Sequence, residues 1–162
     1  MVPINAPIGS VEGVFNAVVA DTDFADTIMH EGRGAGAGPT ASAVVADIID
    51  IAANRLSPTF GIPAEDLNEL KISPMENHVG AFYIRLMVVD KPGVFADVAA
   101  VLRDNNVSME SVLQRGRAPS EPVSVVMTLH ETQEAGMIKA IDAIGKLDGV
   151  VEIPRMIRIE SF

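Results

Sequence analysis

The sequence predicts an α+β fold, in which a C-terminal ferredoxin-like βαββαβ domain follows a strand, a glycine loop and a helix. Three observations predict it. Four short runs after residue 81 carry the β-branched and alternating apolar pattern of strands. Two runs of helical period separate them in the order strand, helix, strand, strand, helix, strand. Breakers and polar residues (Gly61, Pro63, Pro74, Gly80) punctuate residues 61–80, as in a linker. Two helices on one face of a four-stranded antiparallel sheet bury both apolar stripes with few connections. The expected division is therefore 1–60, a linker over 61–80 with its boundary near Glu76 to Gly80, and 81–162.

In chain order, Ser10 to Ala20 is apolar enough for a strand, through Val14, Phe15, Val18 and Val19. Gly32 to Gly38 reads as a flexible glycine loop. Pro39-Thr40 then opens a helix, with Thr40 or Ser42 as its cap and Val44, Val45, Ile48, Ile49 and Ile51 as its buried face. Phe82 to Val89 is a strand, and Asp90-Lys91-Pro92-Gly93 is a turn, because Pro presets φ and Gly frees it. Val94, Phe95, Val98, Val101 and Leu102 recur at helical spacing until Asn105-Asn106. Val107, Met109, Ser111 and Leu113 alternate as in a half-buried strand, and Arg115 to Pro122 is a turn region. Val123, Val125, Met127 and Leu129 form the third strand. Gln133 to Leu147 is a helix with Met137, Ile138, Ile141 and Ile144 inward. After an Asp148-Gly149 turn, Val150 to Glu160 is a fourth strand, and Pro154 within it indicates an edge or a bulge.

The 162 residues include 12 Lys and Arg, 22 Asp and Glu and no Cys, for a formal charge of -10. That balance argues against nucleic acid, which needs clustered cations. Without cysteine there is neither a disulfide framework nor a thiolate metal site. Met1 to Pro7 has no signal-peptide pattern, and Asp47 and Asp50 break the apolar stretch Ala41 to Ala53. The expectation is a cytoplasmic chain without a membrane span. His30, His78 and His130 lie far apart, so no metal site is expected. No G-x-S-x-G elbow is present, and no catalytic residue is assigned.

Two segments carry candidate sites. Gly32, Gly34 and Ala37 fit G-x-G-x-x-A, yet Asp47 and Asp50 lie in the following helix and no second parallel strand follows. The segment is then either a plain connection or an anion- or cofactor-facing loop, since free amides at a helix N-terminus face a ligand. Asp90-Lys91-Pro92-Gly93-Val94 joins a strand to a helix, where Asp90 suits an ammonium and the helix amides a carboxylate, as in an amino acid. The same residues also make an ordinary turn with Asp90 as N-cap.

The run Gly32-Arg33-Gly34-Ala35-Gly36-Ala37-Gly38-Pro39-Thr40-Ala41-Ser42-Ala43-Val44-Val45-Ala46-Asp47 resembles a segment near the end of the catalytic region of homoserine dehydrogenases. Gly9 to Val18 resembles their stretch just upstream. Residues 82–160 resemble an ACT domain through Asp90-Lys91-Pro92-Gly93-Val94 and Asn106-Val107-Ser108-Met109. The resemblance implies an enzyme that reduces aspartate semialdehyde to homoserine with NAD or NADP, on the route to threonine and methionine. It implies that residues 1–60 are the end of the catalytic region and 81–162 a regulatory ACT domain. The family's Rossmann domain and catalytic lysine have no counterpart here, so the chain alone is expected to be inactive and to hold no cofactor. In an intact enzyme, Gly34, Gly36, Gly38, Pro39 and Thr40 would match the segment that returns to the cofactor. For the ACT part, the resemblance implies L-threonine as allosteric effector between two domains of a homodimer. Asp90 would then meet the ammonium, Gly93 and Val94 the carboxylate, and Asn106 or Ser108 the hydroxyl. The rival expectation is a free-standing amino-acid-binding or dimerisation protein without enzymatic activity.

Overall fold

In the computed structural model, which describes residues 1–55, 60–116 and 121–161, the chain divides into two units, Val2–Lys71 and Ile72–Phe162, the latter with Met1. The second unit is built on alternation. Strand β3 (Val79–Val89) buries Phe82, Ile84, Leu86 and Val88 on one face, and β5 (Pro122–Gln133) buries Val123, Val125, Met127 and Leu129 on the same face. The antiparallel register sets Ile84 opposite Met127 and Leu86 opposite Val125. With β4 (Met109–Gln114) and β6 (Arg155–Ile159) the sheet order is β4-β5-β3-β6. Helix α2 (Val94–Asp104) adds Val98 and Leu102 to the core, and α3 (Glu134–Ile144) adds Met137, Ala140 and Ile144. This is the expected two-layer βαββαβ arrangement.

The end of α2 explains its sequence. Asn106 adopts φ 57°, its N–H donates to Arg103 O at 3.0 Å, and the Val107 N–H donates to Leu102 O at 2.9 Å. These bonds form a Schellman cap, with asparagine at the left-handed position. Leu102 and Val107, its hydrophobic pair, are both buried.

Among the described residues of this unit, the buried charged one is Glu134, 3% exposed. Arg158 Nε donates to Glu134 Oε2 at 2.7 Å, and Arg158 Nη2 donates to Oε1. This hydrogen bonding, against the opposing effect of burial, holds the Glu134 carboxyl below the ordinary carboxylate range; the charges of Arg158 and His78 add to it. Bonding to Glu134 likewise raises the Arg158 pKa.

Several details differ from expectation. Strand β4 is exposed along nearly its whole length, and a register shift between Met109 and Ser111 breaks its alternation, because the helices cover β3 and β5 rather than this edge. Ile138 is 40% exposed, while Ala140 takes an inward position on the α3 line through Met137 and Ile144. Phe95 also lies largely outside the core. The fourth strand is shorter than Val150 to Glu160. Val150 makes an isolated bridge to Val88, and regular pairing starts only after Pro154, on the edge strand β6. Of the Arg115 to Pro122 turn, residues 117–120 lie outside the described residues, and Pro122 already begins β5.

The first unit holds a hairpin, β1 (Phe15–Thr22) and β2 (Asp26–Arg33), and helix α1 (Ala37–Ala52). Strand β2 was not expected, and it absorbs Gly32 and Arg33 from the supposed loop. Its turn is closed by Thr22, whose Oγ1 accepts the Ala25 N–H and donates to Asp26 O, both at 3.0 Å. Helix α1 begins two residues before Pro39. Gly36 occupies the cap position at φ 116°, and neither Thr40 nor Ser42 caps the helix; Thr40 Oγ1 instead donates to Gly36 O at 2.9 Å. The expected inward face is not buried: Val44, Val45, Ile48, Ile49 and Ile51 are 51–66% exposed. Local spacing set the helix, but among the described residues no element of this unit covers it.

Candidate functional site

Sheet register assembles the most developed site. Gln114 of β4 stands opposite Val125 of β5, which stands opposite Leu86 of β3. Directly paired residues share a face, so Gln114 lies on the side carrying the helices. Along β3 the same side carries Leu86 and Val88, and Asp90 continues that series past the strand end. Gln114 and Asp90 meet there, the Gln114 Nε2 amide donating to Asp90 Oδ1 at 3.5 Å.

Between them opens a small recess. Its floor is Leu86, Val88, Val98 and Val125, none more than 6% exposed. Val94 and Phe95 of the first turn of α2 form one wall, and Asp90, Lys91 and Gln114 stand at the rim. An apolar bottom under a few polar groups is the usual composition of a small-molecule site.

The turn that delivers α2 depends on Gly93, at φ 98°. Gly93 is the cap residue, with no side-chain cap, and the Asp97 N–H donates to its carbonyl at 3.0 Å. Asp90 as N-cap is therefore corrected: its side chain faces Gln114, three residues before the cap. On the other side, Gly149 lies against Val94, where a methyl at 149 would come within 2.5 Å of Val94 Cγ2. The Gly149 carbonyl accepts the Val89 N–H at 2.9 Å, so the segment after α3 is tied to the end of β3.

Of the five expected effector positions, the structure gathers Asp90, Gly93 and Val94 at the N-terminus of α2. Asn106 and Ser108 border a shallow groove at its other end. Eleven residues of helix separate the groups by about 16 Å. Sequence reading missed Gln114, because its neighbour Asp90 lies 24 residues away and reaches it only through the pairing of three strands.

The glycine segment is largely self-occupied. The Gly34 N–H donates to Val14 O at 2.8 Å, and a Cβ at Gly34 would fall 1.4 Å from Asn16 Nδ2. The Thr40 amide and hydroxyl both donate to Gly36 O. Pro39 has no amide proton, which leaves Gly36 and Gly38 as the positions where backbone can approach a ligand closely; a Cβ at Gly38 would meet nothing within 4 Å. Among the described residues, no group of three His, Cys, Asp or Glu is placed to hold a metal ion, and no helix is long and apolar enough to cross a membrane.

The homoserine dehydrogenase family profile matches residues 1–49, and the ACT domain profile matches residues 82–149. A homoserine dehydrogenase of Helicobacter pylori is 35% identical over 161 residues, 99% of this chain and 38% of that protein. That of Neisseria gonorrhoeae is 38% identical over 168 residues, again 99% and 38%. The crystal structure of a homoserine dehydrogenase from Thiobacillus denitrificans superposes with a TM-score of 0.83 at 34% identity, covering 99% of this chain and 37% of the other. The chain thus spans less than two fifths of the length of these relatives.

Proposed function

The chain belongs with the homoserine dehydrogenases, matching their C-terminal part and carrying an ACT domain, and from that premise we propose that its second unit is the amino-acid-sensing regulatory module of such an enzyme. The whole enzyme would reduce aspartate semialdehyde to homoserine with a nicotinamide cofactor. The first unit would contribute the Gly36–Gly38 backbone toward that cofactor, while the cofactor domain and the catalytic lysine belong to parts of the enzyme outside these residues. The effector is L-threonine, the ACT domains pair as a homodimer, and the module acts in the cytoplasm.

The observation that carries this reading is the meeting of Asp90 and Gln114 over an apolar recess at the strand-to-helix turn. Asp90 takes the ammonium group, and the amides at the start of α2 take the carboxylate. Asn106 and Ser108, remote within one chain, enter only if a second ACT domain places its copy beside this recess. A ligand regulates only by preferring one arrangement of the enzyme, and couplings of this kind amount to about 1–3 kcal/mol.

The test is calorimetric titration of the chain with L-threonine. Saturable heat that disappears in Asp90→Ala is expected. Absence of heat in a folded chain, or unchanged affinity in Asp90→Ala, would overturn the reading.

A further inference from the structure

We infer that the sheet face turned away from α2 and α3 is a docking surface for an acidic amphipathic helix of another protein, whose carboxylates pair with Arg85 and Arg155. The alternation that buries Ile84 and Leu86 under the helices turns Tyr83 and Arg85 to the opposite face. Register extends that face into rows across the strands. Arg85 stands directly opposite Arg155 of β6 on one side and Val126 of β5 on the other, and Val126 stands opposite Leu113 of β4. In the adjacent row, Tyr83 stands opposite Ile157. An antiparallel sheet with one solvated face normally alternates apolar inward with polar outward. This face instead turns Tyr83, Val126, Leu113 and Ile157 outward, all of them at least partly exposed. Neighbouring exposed apolar side chains of this kind mark an interaction surface.

Charge identifies the occupant. Like charges directly opposite one another destabilise a strand pair. Among the described residues, neither guanidinium has an ion-pair or hydrogen-bond partner. Neither row holds an Asp or Glu, in a chain that has 22 of them. A carboxylate on each arginine removes the repulsion. Directly opposed side chains stand about 5 Å apart at Cβ, close to the spacing of carboxylates one helical turn apart. An extended segment would add at a sheet edge through its backbone, whereas a face is covered by a helix, as α2 and α3 cover the other side. A second copy of this face would set guanidinium against guanidinium. The formal charge of -10 repels a long polyanion such as nucleic acid, leaving a short segment with a few carboxylates.

The probe is a synthetic alanine-rich helix with two Glu one turn apart and Leu beside them on the same face. It is titrated into the full chain, with a peptide carrying Gln at both Glu positions as control and circular dichroism following the fold of each variant. Tyr83 is the one tyrosine of a chain without tryptophan and lies on this face, so its fluorescence reports occupancy. A saturable change with the Glu peptide is expected, and about fivefold weaker binding of the Gln peptide, the effect of two exposed ion pairs. In the double variant Arg85→Gln/Arg155→Gln, altered only at exposed side chains, the two peptides should bind alike. No binding of the Glu peptide, or equal binding of both peptides by the parent chain, would overturn the inference. A dimer in sedimentation that Val126→Glu dissociates would also overturn it, because the occupant would then be a second copy. The recess at the α2 turn lies on the opposite face of the sheet, so the amino-acid-sensing reading stands or falls separately.

Discussion

The contact between Gly149 and Val94 permits a quantitative test of how the α2 turn is held. A Cβ at position 149 would stand 2.5 Å from Val94 Cγ2, 2.7 Å from Cγ1 and 3.1 Å from Cβ. Ordinary carbon contacts lie at about 3.5–4.0 Å, so Gly149→Ala demands a shift of about 1 Å. Turning the valine side chain does not remove the clash, because both methyls and the Cβ itself are involved. The loop resists displacement through Val89 N–H to Gly149 O at 2.9 Å and Val151 N–H to Met87 O at 2.8 Å. Overpacking of this kind costs about 1–3 kcal/mol. Gly149 is not among the positive-φ glycines, so alanine also recovers about 0.4–1 kcal/mol by restricting the unfolded chain. The net destabilisation should be about 1 kcal/mol.

Val94→Ala alone, which removes two half-buried methyls, should cost about 1 kcal/mol as well. In that background only the 3.1 Å contact with the Cβ at position 94 remains, so Gly149→Ala should cost clearly less than in the parent chain, a coupling of about 1 kcal/mol. Urea unfolding followed by tyrosine fluorescence measures this cleanly, because the chain has one tyrosine, Tyr83 in β3, and no tryptophan. Equal costs of Gly149→Ala in both backgrounds would refute the steric argument.

Stability should fall with acid through Glu134. Its pKa is lowered in the folded chain, so its contribution is complete above the ordinary carboxylate range and is lost as pH drops below about 4.5; Glu134→Gln should flatten that part of a stability–pH curve. Asn106→Ala should cost about 1 kcal/mol in urea unfolding, since it loses the residue suited to φ 57°, whereas Asn106→Gly should cost nothing or stabilise slightly. Ile84→Ala, at a side chain with no exposure, should cost about 2–5 kcal/mol by the same assay. Ile48→Ala on exposed α1 should change thermal stability by less than about 1 kcal/mol.

Legibility in the sequence followed burial. Val123 to Leu129 alternates because one face of β5 is fully enclosed, and that pattern, repeated on β3, made the βαββαβ order readable. Strand β2 is exposed except at Ile28 and Met29, so selection for burial left no alternation to find. Spacing identified α1 as a helix, but the same residues say nothing of whether a partner surface is present. The Asp90-Lys91-Pro92-Gly93 turn was visible because proline and glycine act locally. Gln114 was not, because its role comes from register across β4, β5 and β3, a relation no local window contains.

Among the described residues, strand β4 has β5 on one side and no strand on the other, and its side chains are almost all exposed. Such an element opens by local fraying at a small fraction of the free energy needed to unfold the sheet. Gln114, its last residue, is part of the recess rim. The site is therefore complete only in the molecules whose edge strand is docked, and apparent affinity falls by that fraction. The relation is reciprocal: a ligand held at the rim slows amide hydrogen exchange along β4 more than along β5, where protection is already governed by unfolding of the whole sheet. Occupancy of the recess would thus be written in the exchange rates of one edge strand.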